Sequence, residues 1–256
     1  MTSAEQISAA LSTAERERVP LAAFTRAKPF LTVETAYQAQ AISTERRVQA
    51  GDRIIGAKLG LTSKVKRLAL GIHEPVYGRL TASMRLPLGE QLQLSGLIGP
   101  RAEPELAFAL GRSLSGEVTV NEVLNAVEVV LPAIEIVDSR YIGPIRLPDS
   151  IADNAGAARI AIGSQGRHPR ELVDLSVLGC VFRHPGGIDT AACGAVMGHP
   201  AIAISWLVRA LARRGERLHE GEIILSGGLT ASVPLRPGDA VTVEFDGLNP
   251  LLVSCS

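Results

Sequence analysis

Two long apolar runs in this chain carry carboxylates where a buried charge is costly, and any fold must accommodate them. The first follows Arg101-Ala102-Glu103-Pro104-Glu105 into residues 106–110; the second spans residues 129–137, with Glu135 inside it. Glu103 and Glu105 stand two residues apart, so in an extended strand both side chains leave the same face. Like charges this close on a half-buried surface repel, and a carboxylate taken out of water needs compensation. A hard divalent cation, Mg²⁺ or Mn²⁺, resolves all three cases, because it takes oxygen ligands and keeps positions open for water or substrate. Pairing of each glutamate with an arginine, or exposure to solvent, satisfies the same pattern.

The rest of the composition narrows the class. A chain of 256 residues can form one large domain, or a small helical cap on a larger one. Hydrophobic residues make up 46% against 20% charged, the balance of a folded globular protein. Basic and acidic residues number 26 each, so no global field points to nucleic acid or an anionic membrane as partner. No apolar run is expected to span a membrane, and Ser3, Glu5 and Gln6 do not make a basic-then-apolar signal pattern. Cys180, Cys193 and Cys255 are odd in number and lack metal-type spacing, which suits reduced thiols of a cytoplasmic protein.

The texture divides at about residue 52. Residues 3–11 and 14–24 are Ala-rich with helical periodicity. Thr32 reads as an N-cap for a helix whose face is Val33, Tyr37, Ala41, Thr44 and Val48, ended by Gly51. Residues 53–61 then read as a strand, followed by Gly- and Pro-broken sequence to Leu94 that suggests loops beside a site. Thr119-Val120-Asn121-Glu122 is a capping box opening a helix with Val123 and Val127 on its apolar face. Another helix runs from Pro200 through Trp206 and Leu211 to Gly215. Strands are expected over 222–225, 232–235 and 240–245, separated by turns at Gly227-Gly228 and Pro237-Gly238-Asp239. Strands dominate without regular alternation with helices, so the expected fold class is α+β: a mixed β-roll or sandwich over 53–256 with a helical region over 1–52.

Lys58 lies in Gly56-Ala57-Lys58-Leu59-Gly60-Leu61-Thr62-Ser63. A lysine there can snorkel to solvent, yet glycines on both sides let a ligand approach the backbone. An ammonium beside a bound carbonyl can stabilise developing negative charge or hold a carboxylate. Asp153-Asn154 and Ser226-Gly227-Gly228-Leu229-Thr230 are polar turns between apolar runs. His199 before Pro200 reads as helix-entry chemistry, His73 as a loop residue, and His168, His184 and His219 as residues of polar loops. Neither a Gly-x-Ser-x-Gly elbow nor a Walker-type loop occurs, which argues against serine hydrolases and nucleotide hydrolases.

The segments 56–63, Glu103-Pro104-Glu105, Glu135-Ile136-Val137-Asp138-Ser139-Arg140, Ala152-Asp153-Asn154 and Leu225-Ser226-Gly227-Gly228 occur in that order. Together they resemble the hydratase/decarboxylase branch of the fumarylacetoacetate hydrolase superfamily, and most of all its 2-oxo-3-hexenedioate (4-oxalocrotonate) decarboxylases. The resemblance runs from about Thr32 nearly to the C-terminus. It implies a mixed β-roll and a homo-oligomer with Mg²⁺ or Mn²⁺ held by Glu103, Glu105 and Glu135. It also implies Lys58 in the substrate pocket, a 2-oxo dicarboxylate as substrate, and a possible complex with the hydratase of the same meta-cleavage pathway.

Similar hydratases carry Asp-Phe-Gly in the loop after the lysine motif, whereas this chain has Val76-Tyr77-Gly78; its Leu229-Thr230-Ala231-Ser232-Val233 also looks like the decarboxylase version of that segment. Adding water to a dienol needs a group to manage the water's proton, and loss of carbon dioxide does not. The expectation is therefore decarboxylation, with Val76 near the departing carboxylate and Asn154 and Thr230 as substrate contacts; hydration of 2-hydroxypenta-2,4-dienoate is the alternative. Arg79, Arg140 and Lys64 are unranked candidates for the far carboxylate. A C–C hydrolase using His73-Glu74 ranks third, and a non-catalytic partner of a hydratase is the remaining reading.

Overall fold

The computed structural model describes residues 3–27, 30–69 and 71–256. Helix α1 (Ala4–Glu17) starts at a capping box, in which Ser3 Oγ accepts from the Gln6 N–H at 3.3 Å and Gln6 Oε1 accepts from the Ser3 N–H at 2.9 Å. Ala4, Ile7, Ser8, Leu11 and Ala14 form one unbroken buried stripe. The two short helices expected here are therefore a single helix, stopped by Arg18 in a left-handed conformation. Residues beyond it form the short strand β1 (Leu21–Ala22) and helix α2 (Phe24–Ala27).

Thr32 caps α3 (Val33–Gln49), its hydroxyl accepting from the Thr35 N–H at 3.1 Å. The buried face is not the expected one. Val33, Ala41 and Val48 are exposed, and Ala36, Tyr37, Ala39, Gln40 and Thr44 face inward. Gln40 is the reason: its amide donates to the carbonyls of Tyr77 and Ile151, both at 2.9 Å, which turns this polar residue into a core fastener. Small alanines beside it let α3 approach α1 and α6 (Leu147–Ala152) closely. The Thr119–Glu122 capping box opens α5 (Val120–Ala126), but Val127 starts the next strand instead of lying on the helix. His199 is the N-cap of α7 (Pro200–Ala212), its Nδ1 accepting from the Ala201 N–H at 3.0 Å.

The larger sheet is built from β2 (Ile54–Gly60), β3 (Val76–Thr81), β4 (Arg101–Leu110), β5 (Val127–Val137), β7 (Ala157–Ile162) and β10 (Ile223–Leu225). Their spatial order is β3-β2-β10-β4-β5-β7, with β11 (Val233–Pro234) added against β4. Only β2 and β10 run parallel among these neighbours. Val76-Tyr77-Gly78 thus opens a strand, not a loop. Between β5 and α6, β6 (Tyr141–Ile142) pairs with β1, and buried Asp149 accepts from the N–H groups of Thr25 and Arg146, pinning the N-terminal segment beside the chain that leads to residue 153. A second sheet, ordered β13-β12-β8-β9, comprises β8 (Gly179–His184), β9 (Gly187–Ala192), β12 (Ala240–Phe245) and β13 (Leu251–Ser254), and packs on β5 through β12 and β13. His184 ends β8 at a hairpin rather than lying in a polar loop.

One continuous core joins Ile7, Leu11 and Ala36 of the N-terminal helices to Phe108, Ile134, Leu207 and Val243. The stretch Cys193–Ala212 has a mean hydropathy of 1.4. Its α-helical part has 13 residues, about 20 Å long, against a hydrocarbon thickness of about 30 Å. Ala201, Ile204, Leu207, Val208 and Leu211 bury it in the protein. The architecture is α+β, as the pattern of strands implied.

Candidate metal centre

Strand register assembles the acidic cluster. Glu103 on β4 lies directly opposite Glu135 on β5, and Glu105 opposite Ala133, so the three carboxylates leave one face of the sheet. On the other side of β4, Leu225 of β10 pairs with both Ala107 and Lys58, which places Lys58 on that same face. One oxygen of each glutamate lies within 4.8 Å of the others. Glu105 and Glu135 are fully buried, Lys58 is nearly so, and Glu103 reaches the edge of the pocket.

The hydrogen bonds leave a gap on one side of the cluster. Gly227 N–H donates to Glu105 Oε2 at 2.7 Å; Lys58 Nζ lies 3.1 Å from Glu135 Oε2 and donates to the carbonyl of Ala155 at 2.9 Å. Glu105 Oε1 and Glu135 Oε1 have no donor among the described residues. Burial first, and then the charge of Glu135, raises the Glu105 carboxyl well above the ordinary carboxylate range. Burial likewise raises Glu135, against the pull of Lys58. Burial would lower Lys58, but the carboxylates of Glu135, Glu105 and Glu103 outweigh it and leave its pKa raised. Three carboxylates facing one ammonium remain under-neutralised, and the orphaned oxygens suit a hard cation with oxygen ligands. These residues fit a divalent ion.

Absent side chains make the space. A Cβ on Gly228 would sit 2.6 Å from Glu103 Oε2, one on Gly60 3.0 Å from Val76 Cγ2, and one on Gly78 2.3 Å from the Asn154 carbonyl. A cavity of about 270 Å³ beside the cluster is lined by Lys58, Gly60, Val76, Arg101, Glu103 and Asp138, among others. Leu61, Val76, Ile145 and Ser150 also line a neighbouring cavity of about 930 Å³, so the two share a wall.

The structure therefore brings together Lys58, Val76, Glu103, Glu105 and Glu135. Two other predicted contacts lie differently. Asn154 spends its side-chain amide on the backbone of Arg79, and the Thr230 hydroxyl donates to the Ala231 carbonyl at 3.1 Å; neither lines the smaller cavity. Arg79 is paired with Glu216, Arg140 with Asp153, and Lys64 is exposed on α4 (Lys64–Ala69). The arginine that lines the cavity is instead Arg101, whose guanidinium donates to the Ser232 hydroxyl and carbonyl; sequence reasoning passed it over although it precedes Glu103 by two residues on the same strand. His73 and Glu74 are exposed at the wider cavity.

A family model described as fumarylacetoacetate (FAA) hydrolase C-terminal matches residues 53–253. The chain is 40% identical over 247 residues to a 2-keto-4-pentenoate hydratase of Paraburkholderia xenovorans (strain LB400), covering 95% of this chain and 91% of that one. To a 4-oxalocrotonate decarboxylase of Pseudomonas sp it is 39% identical over 226 residues, 88% of this chain and 87% of the relative. A solved structure, 4-oxalocrotonate decarboxylase from Pseudomonas putida G7 complexed with magnesium and adipate, superposes with a TM-score of 0.92 at 34% identity, covering 98% of each chain. By sequence match and by fold, this chain belongs to the fumarylacetoacetate hydrolase family, among relatives named both as decarboxylases and as hydratases.

Proposed function

We propose that the chain is a Mg²⁺-dependent 2-oxo-3-hexenedioate (4-oxalocrotonate) decarboxylase with Glu103, Glu105 and Glu135 as the metal ligands. Bound there, the cation supplies Lewis acidity toward the 2-oxo acid end of the substrate. Lys58, fixed between Glu135 and the Ala155 carbonyl, places a positive charge beside the oxygen that becomes enolate-like as the bond to the far carboxylate breaks. The electron pair of that bond enters the conjugated chain, carbon dioxide leaves, and 2-hydroxypenta-2,4-dienoate remains after protonation. The observation that carries this reading is Val76. It is 2% exposed, pairs with Gly60, and shares a sheet face with Lys58 where an apolar wall disfavours a charged carboxylate and offers no base to an attacking water.

Hydration of 2-hydroxypenta-2,4-dienoate is the second reading, supported by the 40% identity to the Paraburkholderia hydratase. An assay of both substrates with Mg²⁺ separates the two: carbon dioxide release without dienoate hydration is expected, and hydration alone would overturn the proposal. Val76→Asp is expected to slow decarboxylation by about 10-fold or more, since it sets a carboxylate against the departing one. Unchanged turnover would remove Val76 from the mechanism.

The cluster also sets a pH dependence. Without a cation, the raised carboxyls of Glu105 and Glu135 bind more protons in the folded than in the unfolded chain, so their contribution to stability falls as pH rises above the ordinary carboxylate range. Cation binding requires the deprotonated forms and releases protons, so its stabilisation grows with pH. At 100 times the dissociation constant that stabilisation is about 2.7 kcal/mol, or roughly 5–10 °C in Tm for a chain of this size. The Mg²⁺-induced Tm shift measured at about pH 8 is expected to exceed that at about pH 5; equal shifts would show that these carboxylates do not take the ion.

A further inference from the structure

We propose that Asn154 is a positioning residue that sets Lys58 through the carbonyl of Ala155; this rests on the reading of Lys58 as a group facing the substrate. The segment 153–156 is built against its own backbone preference. Asn154, Ala155 and Gly156 have φ of 52°, 52° and 76°, three successive residues in the left-handed region, one of them an alanine. Such a path persists only where its surroundings dictate it, and here every residue is tied down.

Asp153 is held from below by Arg140: the two side chains form a buried ion pair, the Arg140 N–H donates to Asp153 Oδ2 at 3.0 Å, and Arg140 Nη2 donates to the Asp153 carbonyl at 2.6 Å. Gly156 donates to the Asp153 carbonyl at 2.9 Å and accepts from the Asp138 N–H at 2.8 Å. Asn154 makes the lateral tie. Its Oδ1 accepts from the Arg79 N–H at 2.7 Å and its Nδ2 donates to the Arg79 carbonyl at 2.8 Å, so the side-chain amide caps the free edge of β3 as a short strand would. Gly78 leaves room for this approach, because a Cβ there would meet the Asn154 carbonyl at 2.3 Å.

What the clasp delivers is one oxygen. The Ala155 carbonyl stands 2.9 Å from Lys58 Nζ, across 97 residues of sequence, and with Glu135 it fixes two of the three directions in which the ammonium can donate. The third is left for the cavity. Asn154 does not line the cavity that holds Lys58 and Glu103, and both polar groups of its amide are engaged with Arg79, so its influence on turnover passes through Lys58 rather than through substrate.

The test is a double-mutant cycle of Asn154→Gly and Lys58→Met, measured with whichever of 2-oxo-3-hexenedioate and 2-hydroxypenta-2,4-dienoate the wild-type protein turns over, so that it does not depend on the choice of reaction. Glycine tolerates the left-handed backbone and removes only the clasp. With Lys58 present, kcat is expected to fall about 10- to 100-fold with KM changed less than about 3-fold, and with Lys58→Met the same substitution should change kcat less than about 2-fold. A crystal structure of Asn154→Gly should show the Ala155 carbonyl displaced from Lys58 Nζ, and it decides the matter if Lys58→Met is too slow to measure. Equal losses in both backgrounds, or a carbonyl that has not moved, would overturn the positioning role alone. Full activity of Lys58→Met would overturn the role of Lys58 and the proposal with it.

Discussion

Glu105→Gln is expected to abolish cation-dependent turnover while leaving a folded protein that is no less stable without metal. The side chain is fully buried, and its carboxyl is raised well above the ordinary range by burial and by Glu135. Glutamine keeps the shape, still accepts the Gly227 N–H, and offers an NH₂ toward the unpartnered oxygen of Glu135. Removing a costly buried charge offsets the loss of one acceptor, so the metal-free Tm should stay level or rise by a few degrees. The cation, however, loses an anionic ligand. Changes one shell further out cost metal sites up to about 100-fold, so a loss in kcat/KM beyond that is expected, together with disappearance of the Mg²⁺-induced Tm shift. Thermal melts with and without Mg²⁺, read beside activity, check both halves; a retained Mg²⁺ shift would take Glu105 out of the ligand set.

The second large effect is on stability. Gly56→Ala places a Cβ 1.8 Å from the carbonyl oxygen of Ile223, at a position whose φ of 153° an alanine rarely adopts. Gly56 is paired with Ile223 in the parallel β2–β10 ladder, so the clash cannot be relieved by a side-chain rotation; one strand must move. A loss of at least about 4 kcal/mol is expected, the range reached only by a few destabilising mechanisms, and a Tm lower by roughly 8–16 °C. Because β2 also carries Lys58 and β10 leads into Gly227, activity at low temperature should fall as well. A Tm within about 2 °C of the wild type would mean that the ladder yields without cost.

Parts of this site were legible in the sequence because each has a residue-type signature. Glu103 and Glu105 are spaced at the strand period, Glu135 interrupts an apolar run, and Lys58 is bracketed by glycines. That Glu103 and Glu135 stand opposite each other is a matter of register, which the spacing within either strand does not encode. The role of Asn154 was hidden for a related reason: its partner is the backbone of Arg79, 75 residues away, and a backbone group leaves no mark on residue identity. Helix α3 was read with its face rotated because valine outweighs glutamine on any hydropathy scale, while the structure uses Gln40 to fasten two carbonyls. Val127 was assigned to a helix that stops one residue earlier, a boundary at which β-branched side chains and strand pairing prevail over the capping signal upstream.

The place of β10 in the larger sheet has a consequence for how the chain is made. This three-residue strand lies between β2 and β4, so the ladder that sets Lys58 beside Glu105 closes only after residue 225 has been synthesised. The carboxylates of β4 and β5 can pair long before that, and until β10 arrives their repulsion is unrelieved by the lysine. Closing so large a loop is slow relative to local hairpin formation. A chain released before residue 225 therefore contains all three clustered glutamates yet lacks the strand that joins them to Lys58.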